Sequence, residues 1–285
     1  MRGLSFNKNG YNSKFRFWDA VWQLVAILVS LLMLIPFLWL FLSSFKSATE
    51  IIQIPLTFFP RRFTLATYQE LLDKLDFGRY FLNSVIVSTA TTLLILFTSS
   101  LAGFVFAKYR FRWKEVYFLL ILSSMMIPFA VIVIPLYMLM SDLGWIDTYA
   151  GLIVPMCVSA FGIFLMRQFM EGIPDALLEA ARIDGASDWW IYYRVILPLS
   201  KSAASALGIF SFMWSWNNLF WPLMVTMSPE MRTLTLGVAT LQWEYGIRYD
   251  AVITGAAIAT IPVIIVYAFA RRNFIQGLTL TGLKY

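Results

Sequence analysis

Glu179, Arg182 and Asp184 lie together in a charged island between two long apolar runs, and their spacing suits docking rather than catalysis. Ala180 and Ala181 leave a flat patch without bulk, against which another backbone packs closely, with Glu179 and Arg182 placing charge on either side. Leu177, Leu178, Ala181 and Arg182 recur at helical spacing. Pro174 and Asp175 supply the start signal, a ring pre-organised for a first turn and an acid suited to capping. Gly185 is the expected left-handed stop. Ser187 and Asp188 then cap a second short helix, which Pro198 ends. The island, residues 174–198, therefore reads as helix, tight glycine turn, helix. Bond-breaking chemistry has few residues to work with. His is absent from the 285 residues, which removes imidazole acid–base catalysis and imidazole metal ligation. No Gly-x-x-x-x-Gly-Lys-Ser/Thr loop occurs, so the chain cannot cradle nucleotide phosphates by itself. The one cysteine, Cys157, sits in an apolar run, forms no intrachain disulfide and reads as a small buried hydrophobe.

The elements that must position this island are apolar. Hydrophobic residues make up 60% of the chain and charged ones 13%, with a mean hydropathy of +0.72. Ordinary soluble domains run near one half and one quarter. The expected fold is an all-α, polytopic membrane protein, one transmembrane domain with six helices crossing a core of about 30 Å. The spans are read at residues 22–42, 81–107, 117–140, 149–166, 203–227 and 251–270. Asn83, several Ser and Thr residues and Gly103 in the second suit close helix packing. Pro128 and Pro135 interrupt the third, either as a gate or as kinks whose freed carbonyls are satisfied nearby. Residues 64–72, in the first long loop, form a short surface helix.

Six spans put both termini on one side. The termini and the loops sharing their side hold 15 of the 22 Lys and Arg residues. By the positive-inside tendency the arm of residues 1–21, the basic loop of Lys108, Arg110, Arg112 and Lys114, the island and the tail of residues 271–285 are cytoplasmic. The formal charge of +6 follows the membrane and is no nucleic-acid footprint.

Glu179-Ala180-Ala181, three residues, Gly185, nine residues, Val195, one residue, then Leu197-Pro198 resembles the coupling motif of ABC-importer permease subunits. Val195 stands where Ile is commoner. The tail from Arg272 through Asn273, Phe274 and Gly277 to Lys284 is similar to the ending of the maltose-type, carbohydrate-uptake branch. So is Trp214-Ser215-Trp216-Asn217-Asn218-Leu219-Phe220-Trp221-Pro222, although that branch often carries an acid where Asn218 stands. The resemblance implies a binding-protein-dependent permease in the bacterial plasma membrane, importing a sugar or oligosaccharide by alternating access. It implies as partners a homologous second permease, two ATPase subunits and an extracytoplasmic sugar-binding protein. ATP and Mg would then sit on the ATPase subunits, with no cofactor on this chain, and the island, Leu177 through Gly185, would be the coupling helix.

Further residues carry two readings each. Trp214, Asn217, Asn218 and Trp221 are spaced i, i+3, i+4 and i+7, one face of a helical fifth span. That face is either a packing and interface stripe or a lining of the translocation path, where amide donors beside aromatic faces suit sugar rings. Trp243 and Tyr245 either contact the binding protein or anchor at the membrane surface. Gly277, Thr279 and Gly282 place the tail against the ATPase dimer, or the tail is a frayed end. A secondary transporter would favour buried acidic coupling residues, and a membrane enzyme a titratable constellation at membrane depth; the six spans as read hold no Asp or Glu. A permease for another solute, such as a polyamine, stays open.

Overall fold

In the computed structural model the backbone is described for residues 13–74, 76–244 and 248–281, and the side chains for 18–73, 76–241 and 248–268. The α-helices among the described residues are α1 Ser13–Ser43, α2 Ala48–Ile51, α3 Ala66–Lys74, α4 Phe77–Lys108, α5 Lys114–Ser123, α6 Phe129–Asp142, α7 Tyr149–Ile153, α8 Ala160–Glu171, α9 Ala176–Ile183, α10 Asp188–Ile191, α11 Leu197–Leu199, α12 Lys201–Trp216, α13 Phe220–Val225, α14 Leu234–Glu244 and α15 Tyr249–Thr281. Three stretches are long and apolar enough to cross a membrane alone: Trp18–Ser43, Phe77–Lys108 and Tyr249–Ala268. Three bent pairs raise the number to as many as six.

The breaks have local causes. Residues 117–140 do not form one rod: Lys114–Met126 and Phe129–Asp142 meet at 99°. Ile127 precedes Pro128 and is forced into extended backbone, which ends the first half. Pro135, by contrast, sits inside α6 without ending it. The fourth span runs to Glu171, beyond the expected 166, with a 45° bend before Ala160. The second begins at Phe77, four residues before the expected start. The fifth is corrected most: α12 stops at Trp216, and a separate short helix resumes at Phe220. The helix read at 64–72 is α3, shifted toward Lys74.

α4 is the centre of the bundle and packs most extensively on α8 and α12. Small residues permit the approach. A Cβ at Gly103 would lie 2.7 Å from the Met166 Cβ, and one at Gly162 would overlap the Ser99 hydroxyl. Below this contact Phe104, Met166, Met170, Leu178, Tyr192, Ile196 and Leu207 form a single core that joins α4 and α8 to the island. Around α1 the opposite holds: none of its most apolar stretch is buried within the chain.

Candidate functional site

The island folds as a helix, a turn and a second helical run. α9 is followed by Gly185 at φ +83°, in the left-handed region that costs a glycine nothing. The Gly185 N–H donates to the Arg182 carbonyl at 3.0 Å and the Ala186 N–H to the Ala181 carbonyl at 2.9 Å. Those two bonds make a Schellman stop, with Ala181 and Ala186 both packed against the core. The Ser187 hydroxyl then accepts from the Trp190 N–H at 3.3 Å, capping the second run as its sequence suggests.

Two parts of the expected island are corrected. Asp175 makes no side-chain cap; its carboxylate pairs with Lys108 at 2.7 Å. That hydrogen bond first, and the Lys108 charge second, hold the Asp175 carboxyl below the usual carboxylate range, with Arg110 and Lys114 adding to the effect. Pro198 does not end the second helix. A π-helical stretch, Tyr192–Ile196, precedes it, the helical run continues through Leu199, and the chain then bends by 78° into α12. The widened turn accommodates a residue with no N–H to give.

The two faces of α9 are distinct. Leu178 is buried and Ala181 half-buried, while Glu179, Ala180 and Asp184 are exposed. Leu177 is 45% exposed and Ile183 85%, so an aliphatic pair stands in the open beside the alanines. Trp189 and Trp190 extend this apolar surface beyond the turn. Arg182, also exposed, makes contacts of its own. Its guanidinium lies 3.4 Å from Asp188 and 5.7 Å from the Tyr109 ring centre, so it braces the island against its own chain.

The proposed stripe on the fifth span does not exist as one face, because the helix breaks at Asn217. Trp221 is buried and donates its indole N–H to the Gly151 carbonyl at 2.9 Å, a packing role. Asn218 accepts from the Trp221 N–H at 3.3 Å and so begins the next short helix. Trp214 is exposed on α12. Asn217 lines a cavity of about 620 Å³ with Phe37, Leu219, Thr235 and Thr260. Its amide nitrogen donates to the Met213 carbonyl at 2.8 Å. The side chains of Trp243, Tyr245 and Thr279, and Gly282 itself, fall outside the described residues; Gly277 lies within the helical backbone of α15.

Several residues that no spacing flagged tie separate loops together. Asp147, itself at φ +59°, accepts from the Met227 and Ser228 N–H groups at 2.9 and 3.0 Å. Burial alone would raise its carboxyl, but the Ser228 N–H and hydroxyl, with the Met227 N–H, outweigh burial and hold it below the ordinary range. Arg248 bridges Glu70 and Asp250, each at 2.9 Å. Asp147 lies 80 residues from Met227 and Arg248 lies 178 from Glu70, so periodicity carries no signal for these pairs.

The family profile of the binding-protein-dependent transport system inner membrane component matches residues 99–279, which includes the whole island. The chain belongs to this family. The arabinooligosaccharides transport system permease protein AraQ of Bacillus subtilis is 37% identical over 277 residues, covering 96% of this chain and 99% of that one. The lactose transport system permease protein LacG of Rhizobium radiobacter is 35% identical, covering 91% and 94%. Among solved structures, a bacterial ABC transporter involved in the import of the acidic polysaccharide alginate contains a chain that superposes with a TM-score of 0.79 at 25% identity, over 93% of this chain and 99% of that one. The protein is thus a multi-pass membrane component of a transport system.

Proposed function

We propose that this chain is a permease subunit of an ATP-driven, binding-protein-dependent importer of a sugar or oligosaccharide. It pairs with a homologous permease, two ATPase subunits and an extracytoplasmic sugar-binding protein. The observation that carries this reading is the uncovered face of α9, Leu177, Glu179, Ala180, Ile183 and Asp184, in a chain whose relatives are named for oligosaccharide and disaccharide transport. Leu177 and Ile183, with Trp189 and Trp190 beyond the turn, make an exposed apolar surface of the kind that marks a protein interface. ATP and its Mg belong on the ATPase subunits; this chain binds no cofactor and carries out no bond chemistry.

The working cycle follows from a rigid island. When the ATPase dimer closes on ATP, the docked segment is displaced with it, and the membrane helices reorient so that the central path opens outward. Hydrolysis restores the inward-facing state. The excess of Lys and Arg in the termini, the loop at 108–114 and the island supports a cytoplasmic position for them in a bacterial plasma membrane. The cavity bordered by Asn217, Thr235 and Thr260 offers hydroxyl and amide groups within an apolar wall, which suits passage of a polyhydroxylated solute.

The experiment is purification of the tagged chain from its host membrane in mild detergent, followed by ATP hydrolysis assays with a panel of oligosaccharides and the cognate binding protein. Co-purified ATPase and second permease with sugar-stimulated hydrolysis is the expected result. A chain that purifies without an ATPase, or whose partner ATPase ignores every sugar, contradicts the proposal.

A further inference from the structure

α4 is anchored at both ends to segments remote in sequence. At the inner end Lys108, its last residue, has a side chain only 3% exposed, although the sequence places it in a basic loop. Its ammonium donates to the Ile173 carbonyl and to the Asp175 carboxylate, both at the threshold of the island. The next residue, Tyr109, lies beneath Arg182, which braces Asp188 beyond the glycine turn. Two turns deeper, Ser100 and Tyr192 share a buried 2.6 Å hydrogen bond that ties α4 to the π-helical stretch. The island is therefore held to α4 before, along and after its docking helix.

At the outer end Asn83 is 1% exposed. Its amide donates to the Glu230 and Arg232 carbonyls at 2.8 and 2.9 Å and accepts from the Tyr149 hydroxyl at 2.6 Å. Arg79 reaches the same Glu230 carbonyl at 3.0 Å, and the Ser84 hydroxyl accepts from the Leu234 N–H at 2.7 Å. Between Asn83 and Lys108 the helix is unbroken, a rod of roughly 37 Å at 1.5 Å per residue. The third and fourth spans are bent at 99° and 45°, and the fifth meets the island through a 78° bend. Of the long helices α1 and α15 each contain a proline, Pro36 and Pro262, while α4 contains none.

We propose that α4 is the strut that carries displacement of the docked island through the membrane to the external loop around residues 228–234, with Lys108 as its inner clamp and Asn83 as its outer clamp. The proposal rests on the reading of the island as an ATPase-docking segment. A desolvated ammonium shared between a carbonyl and a carboxylate is charge-assisted and directional, so it transmits a shift rather than yielding to it. An amide that satisfies two carbonyls and one hydroxyl fixes the external loop in the same way. Both are positioning residues. Coupling is reciprocal, so events at the external loop bias the island by the same route.

The test uses the complete transporter in lipid nanodiscs and vesicles with its binding protein. Two quantities are read: stimulation of ATP hydrolysis by sugar-loaded binding protein, and sugar taken up per ATP. Lys108→Met removes the charge but keeps the stem, and Asn83→Leu removes the amide but keeps the shape. Each is expected to assemble with the ATPase and to lower stimulation about tenfold, a coupling of ordinary size. The double variant is expected to fall no further than the worse single one, because both cut one chain of contacts. Lys108→Arg restores most of the stimulation. Should Lys108→Met fail to assemble, Asp175→Asn decides, since that carboxylate is 71% exposed and its loss leaves the core intact; a clear loss of stimulation supports the strut and wild-type stimulation overturns it. Assembled variants with stimulation and stoichiometry within twofold of wild type, or single losses that multiply in the double variant, overturn the proposal. A wild-type complex that contains no ATPase overturns the docking reading beneath it, a result distinct from an assembled complex whose coupling ignores Lys108.

Discussion

Gly185 gives a graded prediction because its site is open yet its backbone is not. At φ +83° no heavy atom lies within 4 Å of where a Cβ would stand, so a side chain meets no clash and only the dihedral is penalised. Gly185→Asn is expected to be nearly neutral, since Asn tolerates the left-handed region. Gly185→Ala is expected to cost roughly 1–2 kcal/mol, the penalty for an ordinary residue there. Gly185→Pro locks φ near −65°, far from the native value, and deletes the N–H that donates to the Arg182 carbonyl, for a cost of about 3 kcal/mol or more. That strain is relieved by re-aiming the run from Asp188 to Leu199, which moves Trp189 and Trp190 relative to Ile183 and splits the docking surface. The assay is the amount of ATPase retained on the purified chain and its sugar-stimulated hydrolysis, beside thermal unfolding in the same detergent. The order Asn, Ala, Pro is expected in both readouts, with ATPase retention lost in the last. Full retention and stimulation in Gly185→Pro would refute the view that the Schellman turn sets the docking geometry.

Asn217→Leu takes the amide from the cavity wall while keeping its size; a three- to tenfold higher KM for sugar uptake is expected, the equivalent of about 1 kcal/mol for one hydrogen bond, and an unchanged KM excludes the cavity from the path. Trp221→Phe leaves the buried Gly151 carbonyl without its donor and is expected to destabilise by about 1–3 kcal/mol with sugar affinity unaltered; a melting temperature equal to wild type refutes the packing role assigned to it. The Asp147 carboxyl, held below its ordinary value in the folded chain, contributes stability that is complete above about pH 4 and is lost as pH falls through its folded value. The stability gap between wild type and Asp147→Asn therefore narrows below about pH 4, and a gap independent of pH contradicts the assignment of that charge to the Met227 and Ser228 donors.

What the sequence shows plainly is what local chemistry decides. The glycine stop and the Ser187 cap are read from residue types within a few positions, and the structure has both. The spans are legible as apolar length, but their breaks are not, since Pro128 and Pro135 look alike in sequence and only the first ends a helix. Pro198 misleads in the other direction, because a π-turn upstream absorbs it and no composition marks a π-turn. The stripe from Trp214 to Trp221 assumes that one helix continues through Asn217, an assumption the break removes. Lys108, Asn83 and Asp147 are invisible as partners because each finds its contacts far along the chain.

The claim at the centre of this account is that the outer face of α9 docks an ATPase, and cross-linking from that face tests it most directly. In a Cys157→Ser background, Ile183→Cys in the native membrane is treated with a short thiol–amine cross-linker. The account predicts a product containing the ATPase subunit whose yield changes with ATP, and no such product from Leu178→Cys, whose side chain faces the core. An ATPase present in the same membranes yet never linked to position 183 would contradict it.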